Sequence, residues 1–245
     1  MTIYQLLKIG EAHTNFCEDA ILSIPINEKK HLLAVMDGCS SGHESHFASG
    51  LISKLLKKQV TEISYLEYAT NQNFTLKDYQ KKILNGIFED LKAFKNKYHL
   101  QTNELLSTLI LAVFDKNQWV EIFVAGDGLV QCDDSQFEFD QDDQPEYLAY
   151  HLNESFEQWY ENQNQVLSFE IKEHFTISTD GIYSFQPFDH DDYPQIEQED
   201  LLNLFLLDKS GRKSVEMLHK KALEIEREFG LKPMDDLGIL KVIFK

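Results

Sequence analysis

The segment LLAVMDG, residues 32–38, is the part of the sequence that most strongly indicates the fold. Five consecutive apolar residues are typical of a strand buried in a sheet, and they end abruptly at Asp37 and Gly38. Aspartate is a poor strand former, and an adjoining glycine weakens a strand further. A buried strand that ends in this pair predicts either a tight turn or a polar site at the end of the strand.

Carboxylates stand directly after or directly before an apolar run at four more places in the chain. These places are Glu18-Asp19, Asp127, Asp180 and Asp235-Asp236. A single Asp-Gly pair is most often a turn, but five acidic strand ends can converge on one edge of a sheet. Carboxylates held close together repel and raise one another's pKa, and a divalent cation removes that conflict. The pattern therefore predicts a site for Mg²⁺ or Mn²⁺, which prefer oxygen ligands.

The net charge of the chain has two interpretations. The 245 residues carry a formal net charge of −18 at pH 7. Such a surface is unsuited to nucleic acid and to anionic membranes, because both are bound through Lys and Arg that neutralise phosphates. The excess acid either keeps the protein soluble or supplies ligands for cations, and only the placement of the acids distinguishes the two.

Cysteine usage and hydropathy predict a reducing, cytoplasmic location. Cys17, Cys39 and Cys132 are odd in number and lack a CxxC pair, which argues against a disulfide framework and a structural zinc site. No stretch approaches the ~20 apolar residues of a membrane helix, and the N-terminal segment lacks the pattern of a secretory signal. A chain of this length buries roughly three quarters of its unfolded surface, so one domain over residues 1–245 is expected.

Hydrophobic periodicity predicts an α+β fold. Apolar runs of strand length lie at residues 3–9, 20–26, 31–35, 105–114, 120–125, 129–132, 169–178 and 237–244. Helical spacing indicates helices from about Ser45, at 75–98, near 154–160, at 199–207 and at 210–229. Segregated runs of this kind favour antiparallel sheets covered by helices over the alternating pattern of a parallel sheet. Thr75 followed by Asp78 predicts the start of the second helix.

Six motifs resemble the type-2C protein phosphatases, a family of metal-dependent serine/threonine phosphatases. The motifs are FCEDA (16–20), LLAVMDG (32–38), STLILAVF (107–114), VAGDG (124–128), ISTDGIY (177–183) and MDDLGIL (234–240), in the order of the family. The resemblance implies a central β-sandwich of two antiparallel sheets flanked by pairs of helices. It also implies a phosphorylated protein as substrate and two or three bound Mg²⁺ or Mn²⁺ ions.

The resemblance gives each acidic site a role. Asp37 resembles the carboxylate that bridges two metals, and Asp19 resembles a residue that holds metal-bound waters. The candidate ligands are, besides Asp37, Glu18 and the carbonyl of Gly38 for one metal, Asp180 and Asp235 for the other, and Asp127 for a third, weaker metal. In the implied chemistry, water between two cations loses a proton near neutral pH and attacks the phosphorus of phosphoserine or phosphothreonine.

The sequence departs from the family where phosphate would be contacted. The arginine that the family places five residues before the aspartate of the first motif is Thr14 here, with His13 beside it. That arginine would grip phosphate through two hydrogen bonds, and the chain has only Arg212 and Arg227. Phosphate would then be held by metals alone or with Lys or His. The alternative function is a degenerate phosphatase fold that binds a partner or regulates it with little catalysis.

Three further features leave alternatives open. His43 and His46 are spaced for one helical turn, but with no third ligand nearby a surface or helix-start role is favoured over zinc. Cys39, beside the predicted bridging ligand, is either redox-sensitive or a small filler. The acidic segment around 133–166 lies where the family has a variable flap near the active site. It either selects substrates or is a solvated loop.

Overall fold

The computed structural model describes residues 1–39, 44–141, 145–188 and 193–244, and its centre is a pair of five-stranded antiparallel sheets. The strands of sheet A are, in spatial order, β1 (Thr2–Lys8), β12 (Leu237–Ile243), β9 (His174–Ser178), β6 (Gly128–Cys132) and β7 (Ser135–Phe139). The strands of sheet B are β2 (Ala20–Pro25), β3 (Lys30–Met36), β4 (Leu109–Asp115), β5 (Trp119–Ala125) and β8 (Val166–Glu170). Strands β10 (Phe185–Pro187) and β11 (Leu231–Pro233) form a separate pair.

Strand β3 is buried on both faces, which explains its uniformly apolar sequence. Alternate side chains of a strand point to opposite faces of the sheet. Leu33 and Val35 pack in the core between the two sheets, whereas Leu32, Ala34 and Met36 pack in the core between sheet B and its helices. A strand that contributes to two cores leaves no place for polar residues until it ends at Asp37.

Helices cover the outer face of each sheet. Helices α1 (Ser45–Thr70) and α2 (Leu76–Tyr98) pack on sheet B, where α3 (Phe156–Glu161) joins them. Helices α4 (Gln198–Leu206) and α5 (Met217–Phe229) pack on sheet A. Short 3₁₀ helices lie at Thr102–Leu105, Leu148–His151 and Asp180–Tyr183. The α+β sandwich predicted from the sequence is confirmed.

The predicted start of α2 agrees with the structure. The Thr75 hydroxyl accepts the backbone N–H of Asp78 at 3.1 Å, and the Asp78 carboxylate accepts the N–H of Thr75 at 2.9 Å. This reciprocal cap satisfies two backbone donors that a helix start leaves free. Among the described residues, no helix is both long and apolar enough to cross a membrane.

The predicted strand at 169–178 was wrong, because the structure divides it between β8 in sheet B and β9 in sheet A. The turn between them is held by the Asp133 carboxylate. That group accepts the backbone N–H groups of Lys172, Glu173 and His174 at 2.7, 2.8 and 3.0 Å. Apolar residues recur on both sides of this turn, at Phe169, Ile171 and Phe175, so the sequence alone suggests one strand where a distant carboxylate fixes a turn.

Two other predicted boundaries were wrong. The helix predicted at 210–229 begins at Met217, because the preceding residues form turns in which Gly211 has a left-handed φ of +77°. The strand predicted at 105–114 begins at Leu109, after the 3₁₀ helix Thr102–Leu105. Strands β7, β10 and β11 were not predicted.

Candidate metal centre

All the predicted metal ligands lie around one cavity at one end of the sandwich. The cavity has a volume of about 630 Å³. Its lining includes the predicted ligands Glu18, Asp37, Gly38, Asp127, Asp180 and Asp235. Seven further residues line it, namely His13, Cys39, Thr108, Pro145, Glu146, Tyr147 and Tyr150. Asp19 is not among the lining residues.

The end of β3 is fixed by its neighbour in sheet B. The backbone N–H of Asp37 donates to the Thr108 hydroxyl at 3.0 Å, and the Asp37 carbonyl accepts the N–H of Thr108 at 2.8 Å. Gly38 cannot be replaced without movement, because a Cβ there would lie 2.0 Å from the Ser45 carbonyl oxygen. The glycine of this motif is therefore required where the chain passes the start of α1.

Asp19 is buried behind the cavity and is held by sheet A. Its Oδ2 accepts the Thr179 hydroxyl at 2.7 Å, and the Thr179 oxygen accepts the N–H of Gly238 at 2.9 Å. Because Ala20 pairs with Met36, the register of β2 and β3 places Asp19 beside Asp37. The first acidic motif is thus tied to both sheets.

The two aspartates before β12 have different surroundings. The Asp235 side chain is 48% exposed and that of Asp236 is completely buried. Asp236 accepts the backbone N–H of Gly10 at 2.7 Å and that of Glu18. The sequence indicates Asp236 only as part of the acidic pair. The pair of adjacent acids was the signal that could have identified Asp236 as buried. Adjacent residues of an extended segment point in opposite directions, so one of two such acids faces inward.

The carboxylates of the cluster have His13 as the one basic side chain beside them among the described lining residues. Burial, followed by repulsion from Asp19, Asp180 and Asp235, raises the pKa of Asp37 well above its usual value. Burial and the charge of Asp235 likewise raise the pKa of Asp180. Within the described residues, no Lys or Arg lines the cavity. A bound cation would reverse these shifts by stabilising the ionised carboxylates.

The donor set fits a hydrated hard cation. Within the described ranges, no group of three or more His, Cys, Asp and Glu side chains is close enough to hold a metal ion. Mg²⁺, however, is usually bound through one or two carboxylates and keeps several waters. An oxygen-rich cavity of about 630 Å³ has room for such waters. The geometry is therefore that of an open site rather than of a closed structural one.

Of the residues at the departures from the family motifs, some line the cavity and others do not. Thr14 is exposed and is not among the residues that line the cavity, whereas His13 lines it. Cys39 also lines the cavity. His46 stacks on the ring of Phe16, with centroids 4.3 Å apart, which is a surface role. Its predicted neighbour His43 lies outside the described residues.

The segment around 133–166 reaches the cavity. It contains β7, a 3₁₀ helix and α3, and its residues Pro145, Glu146, Tyr147 and Tyr150 line the cavity. Tyr147 is 7% exposed and packs against the core of sheet B, while Tyr150 is 50% exposed. The segment therefore packs partly against the core of sheet B, and it contributes two aromatic side chains to the lining of the cavity beside the carboxylates.

Solved structures with the same fold include bacterial phosphatases. One contains the PP2C phosphatase domain of SpoIIE from Bacillus subtilis with a fragment of its regulatory domain, with 18% identity and a TM-score of 0.58. The match covers 99% of this chain and 63% of that structure. A second is RsbX in complex with magnesium, with 15% identity, a TM-score of 0.54, and coverage of 99% of this chain and 94% of that one.

A third is the serine/threonine phosphatase Stp1 from Staphylococcus aureus, with 11% identity, a TM-score of 0.62, and coverage of 99% and 94%. At these identities the likeness shows the fold alone. No curated protein matches the chain in sequence. The sequence model of protein phosphatase 2C, however, matches residues 10–221, which is well over half of the chain. The chain therefore belongs to the protein phosphatase 2C family.

Proposed function

We propose that this protein is a Mg²⁺- or Mn²⁺-dependent phosphatase that hydrolyses phosphoserine and phosphothreonine in a protein substrate. The observation that carries the proposal is the cavity lined by six carboxylates, those of Glu18, Asp37, Asp127, Glu146, Asp180 and Asp235, with no Lys or Arg among its described lining residues. Membership of the protein phosphatase 2C family supports the reaction type.

Each carboxylate has a role in the proposal. Metal ions held here would lower the pKa of bound water and neutralise charge on the phosphate. The proposed ligands are Asp37 as the bridge, Glu18 and the Gly38 carbonyl on one side, Asp180 and Asp235 on the other, and Asp127 at a third position. Asp19, which is buried behind the cavity and whose Oδ2 accepts the Thr179 hydroxyl at 2.7 Å, is the residue proposed to hold metal-bound waters. In the described chain, His13 is the one basic side chain lining the cavity, so it is the residue that can add to phosphate binding.

The alternative is a degenerate module that keeps the fold and binds a partner without hydrolysis. The absence of an arginine at Thr14 favours it. The complete set of predicted carboxylate ligands around one cavity opposes it.

The proposed location is the reducing cytoplasm. Cys17, Cys39 and Cys132, all among the described residues, form no disulfide. This is consistent with the cysteine usage of a reducing compartment. With this location, we expect the substrate to be a phosphorylated protein of the same compartment.

Phosphate release from matched peptides tests the proposal. Three peptides of one sequence, carrying phosphoserine, phosphothreonine or phosphotyrosine, are incubated with Mn²⁺ and the full chain. We expect release from the first two, and none with the Asp37→Asn variant as control. A protein that Mn²⁺ stabilises but that releases no phosphate would support the binding module. Preferential release from phosphotyrosine would contradict the substrate class.

A further inference from the structure

A second cavity lies at the opposite end of β1 and β12 from the candidate metal centre. It has a volume of about 610 Å³ and is bordered by the start of β1 and the end of β12, at Tyr4 and Phe244. The metal centre lies beyond the other ends of these strands. Since a strand rises about 3.4 Å per residue, the two sites are separated by on the order of 20 Å.

The second cavity is basic although the chain as a whole is acidic. Its lining contains Lys172, Lys209, Arg212 and Lys213, and Glu173 is the one carboxylate among its described lining residues. The chain carries a net charge of −18. A cluster of Lys and Arg side chains on such an acidic protein creates a local positive potential, which attracts anions to the pocket.

The carboxylates near this basic pocket already have partners. Glu173 forms an ion pair with Lys209, and Asp208 forms one with the buried Lys221. Asp133 is occupied by three backbone N–H groups of the turn at residues 172–174. Among the described residues, Lys172, Arg212 and Lys213 form no ion pair, so three cationic side chains remain to be neutralised.

Two basic side chains, Lys241 and His174, are buried behind the pocket. Lys241 is completely buried and donates to the carbonyls of Phe205 and Asp208, each at 2.9 Å. Burial and the charge of Lys221 lower its pKa to about 7. Burial and the charges of Lys241 and Lys209 also lower the pKa of His174. Neighbouring positive charge contributes to both shifts, and an anion bound in the pocket would offset that charge.

The loop that carries three of the cations is held in one conformation. The Tyr4 hydroxyl donates to the Arg212 carbonyl at 2.6 Å, and the Arg212 N–H donates to the Lys209 carbonyl at 3.3 Å. The N–H of Ser210 donates to the Asp208 carboxylate at 2.7 Å. A loop ordered before binding reduces the entropy lost when a ligand binds.

We propose that this basic pocket binds a small polyanion that carries two or three linked phosphates. Its volume lies within the ~300–1,000 Å³ of small-molecule sites. The unpaired cations come from two separate turns, at Lys172 and at Arg212 and Lys213, so a ligand that neutralises all of them must carry charge over more than one group. The guanidinium of Arg212 suits two-point contact with a phosphate oxygen pair.

Calorimetric titration of the full chain with sodium tripolyphosphate, without added divalent metal, tests the proposal. We expect saturable binding of one molecule per chain that weakens as salt is added. The double variant Arg212→Gln/Lys213→Gln should weaken binding by about tenfold or more, because each loses a charge-assisted contact. The matched control Arg227→Gln/Lys77→Gln removes the same charge from exposed positions elsewhere and should bind as the parent does.

The other outcomes decide against the proposal. Equal weakening in both double variants would show a diffuse charge effect, and binding that appears only after Mn²⁺ is added and is lost in Asp37→Asn would place the anion at the metal centre. Tighter binding of hexaglutamate than of tripolyphosphate would identify an acidic protein segment as the ligand instead. Absence of binding at millimolar tripolyphosphate would also overturn the proposal. Hydrolysis should be unaffected by Arg212→Gln/Lys213→Gln, so this test is independent of the proposed phosphatase activity.

Discussion

Nδ1 of His13 lies 2.9 Å from Oδ2 of Asp236, whose carboxylate is completely buried. The same carboxylate accepts backbone N–H groups from Gly10 and Glu18. Burial lowers the pKa of His13, but the hydrogen bond and charge of Asp236 outweigh it and raise the value above normal. One buried acid therefore joins the loop after β1 to the first acidic motif, next to the candidate ligand Asp235.

The neighbours Asp235 and Asp236 should respond oppositely to substitution. Asp236→Ala leaves two backbone donors without acceptors, at a cost of about 1–3 kcal/mol each, so it should lower the free energy of unfolding. Asp235→Asn removes a half-exposed charge from a repulsive cluster but keeps a side-chain oxygen that can accept the N–H of Asp236, a bond of 2.8 Å in the wild type, so it should leave the metal-free stability equal or higher, while stabilisation by Mn²⁺ is lost. Urea unfolding with and without Mn²⁺ measures both. Equal destabilisation by the two variants would contradict this division of roles.

Metal should stabilise the fold in a concentration-dependent way. Mn²⁺ binds the assembled carboxylates but not the unfolded chain, so it should raise the melting temperature progressively. Thermal unfolding over a series of Mn²⁺ concentrations measures the effect, with Asp180→Asn as a variant that should reduce it. Identical melting curves in millimolar Mn²⁺ and in excess chelator would show that the cluster is not a metal site.

The stability of the metal-free protein should decrease as the pH rises, because of Asp19. Burial, together with repulsion from Asp236, raises the pKa of Asp19 from 3.8 to about 8. Between these values the native state holds a proton that the unfolded state has released, so the contribution of Asp19 to stability is lost as pH rises. His31, whose pKa burial lowers to about 4, acts in the opposite direction.

Comparison with Asp19→Asn isolates the contribution of Asp19. The free energy of unfolding is measured for both proteins by urea unfolding from pH 4 to 8 without metal. As the pH rises, the wild type should become progressively less stable relative to Asp19→Asn. With saturating Mn²⁺ the trend should disappear, because the ion stabilises the ionised carboxylates. A difference that is constant with pH in the metal-free protein would show that Asp19 titrates normally.

Thr14→Arg tests what replaces the arginine of the family. A charge-assisted contact to phosphate is worth ~1.5–3 kcal/mol, which is roughly one to two decades in a binding constant. We expect a lower KM, a lower inhibition constant for free phosphate, or both, with Thr14→Gln as the uncharged control. Activity that falls in Thr14→Arg would indicate that His13, which lines the cavity, already occupies the phosphate-binding position.

Residues such as Asp37 and Asp180 could be predicted because they end fully buried strands. A run such as residues 32–36 is apolar on both faces of the sheet, so a carboxylate immediately after it is conspicuous. Asp236 could not be assigned in this way. Its role depends on N–H groups from Gly10 and Glu18, which are distant in sequence and are brought close only when β1 pairs with β12.

The missed elements have weak local signals. Strand β7 (Ser135–Phe139) is an edge strand with partly exposed residues, so neither a continuous apolar run nor a strong alternation marks it. Helix α5 begins after Glu216 without a side-chain cap, and its start is set by the turns that carry Lys209 and Arg212. These boundaries depend on tertiary contacts, such as the Tyr4 hydroxyl on the Arg212 carbonyl at 2.6 Å, rather than on local propensity.

Hydrolysis of a small aryl phosphate, measured against Mn²⁺ concentration and in excess chelator, tests the central claim most directly. Asp37→Asn, in which the predicted bridge loses its charge, is measured beside the wild type, with circular dichroism to verify its fold. We predict hydrolysis that rises with Mn²⁺, stops in chelator and is absent in Asp37→Asn although the variant remains folded. Hydrolysis that persists in chelator or in Asp37→Asn would contradict a metal-dependent reaction at this cluster.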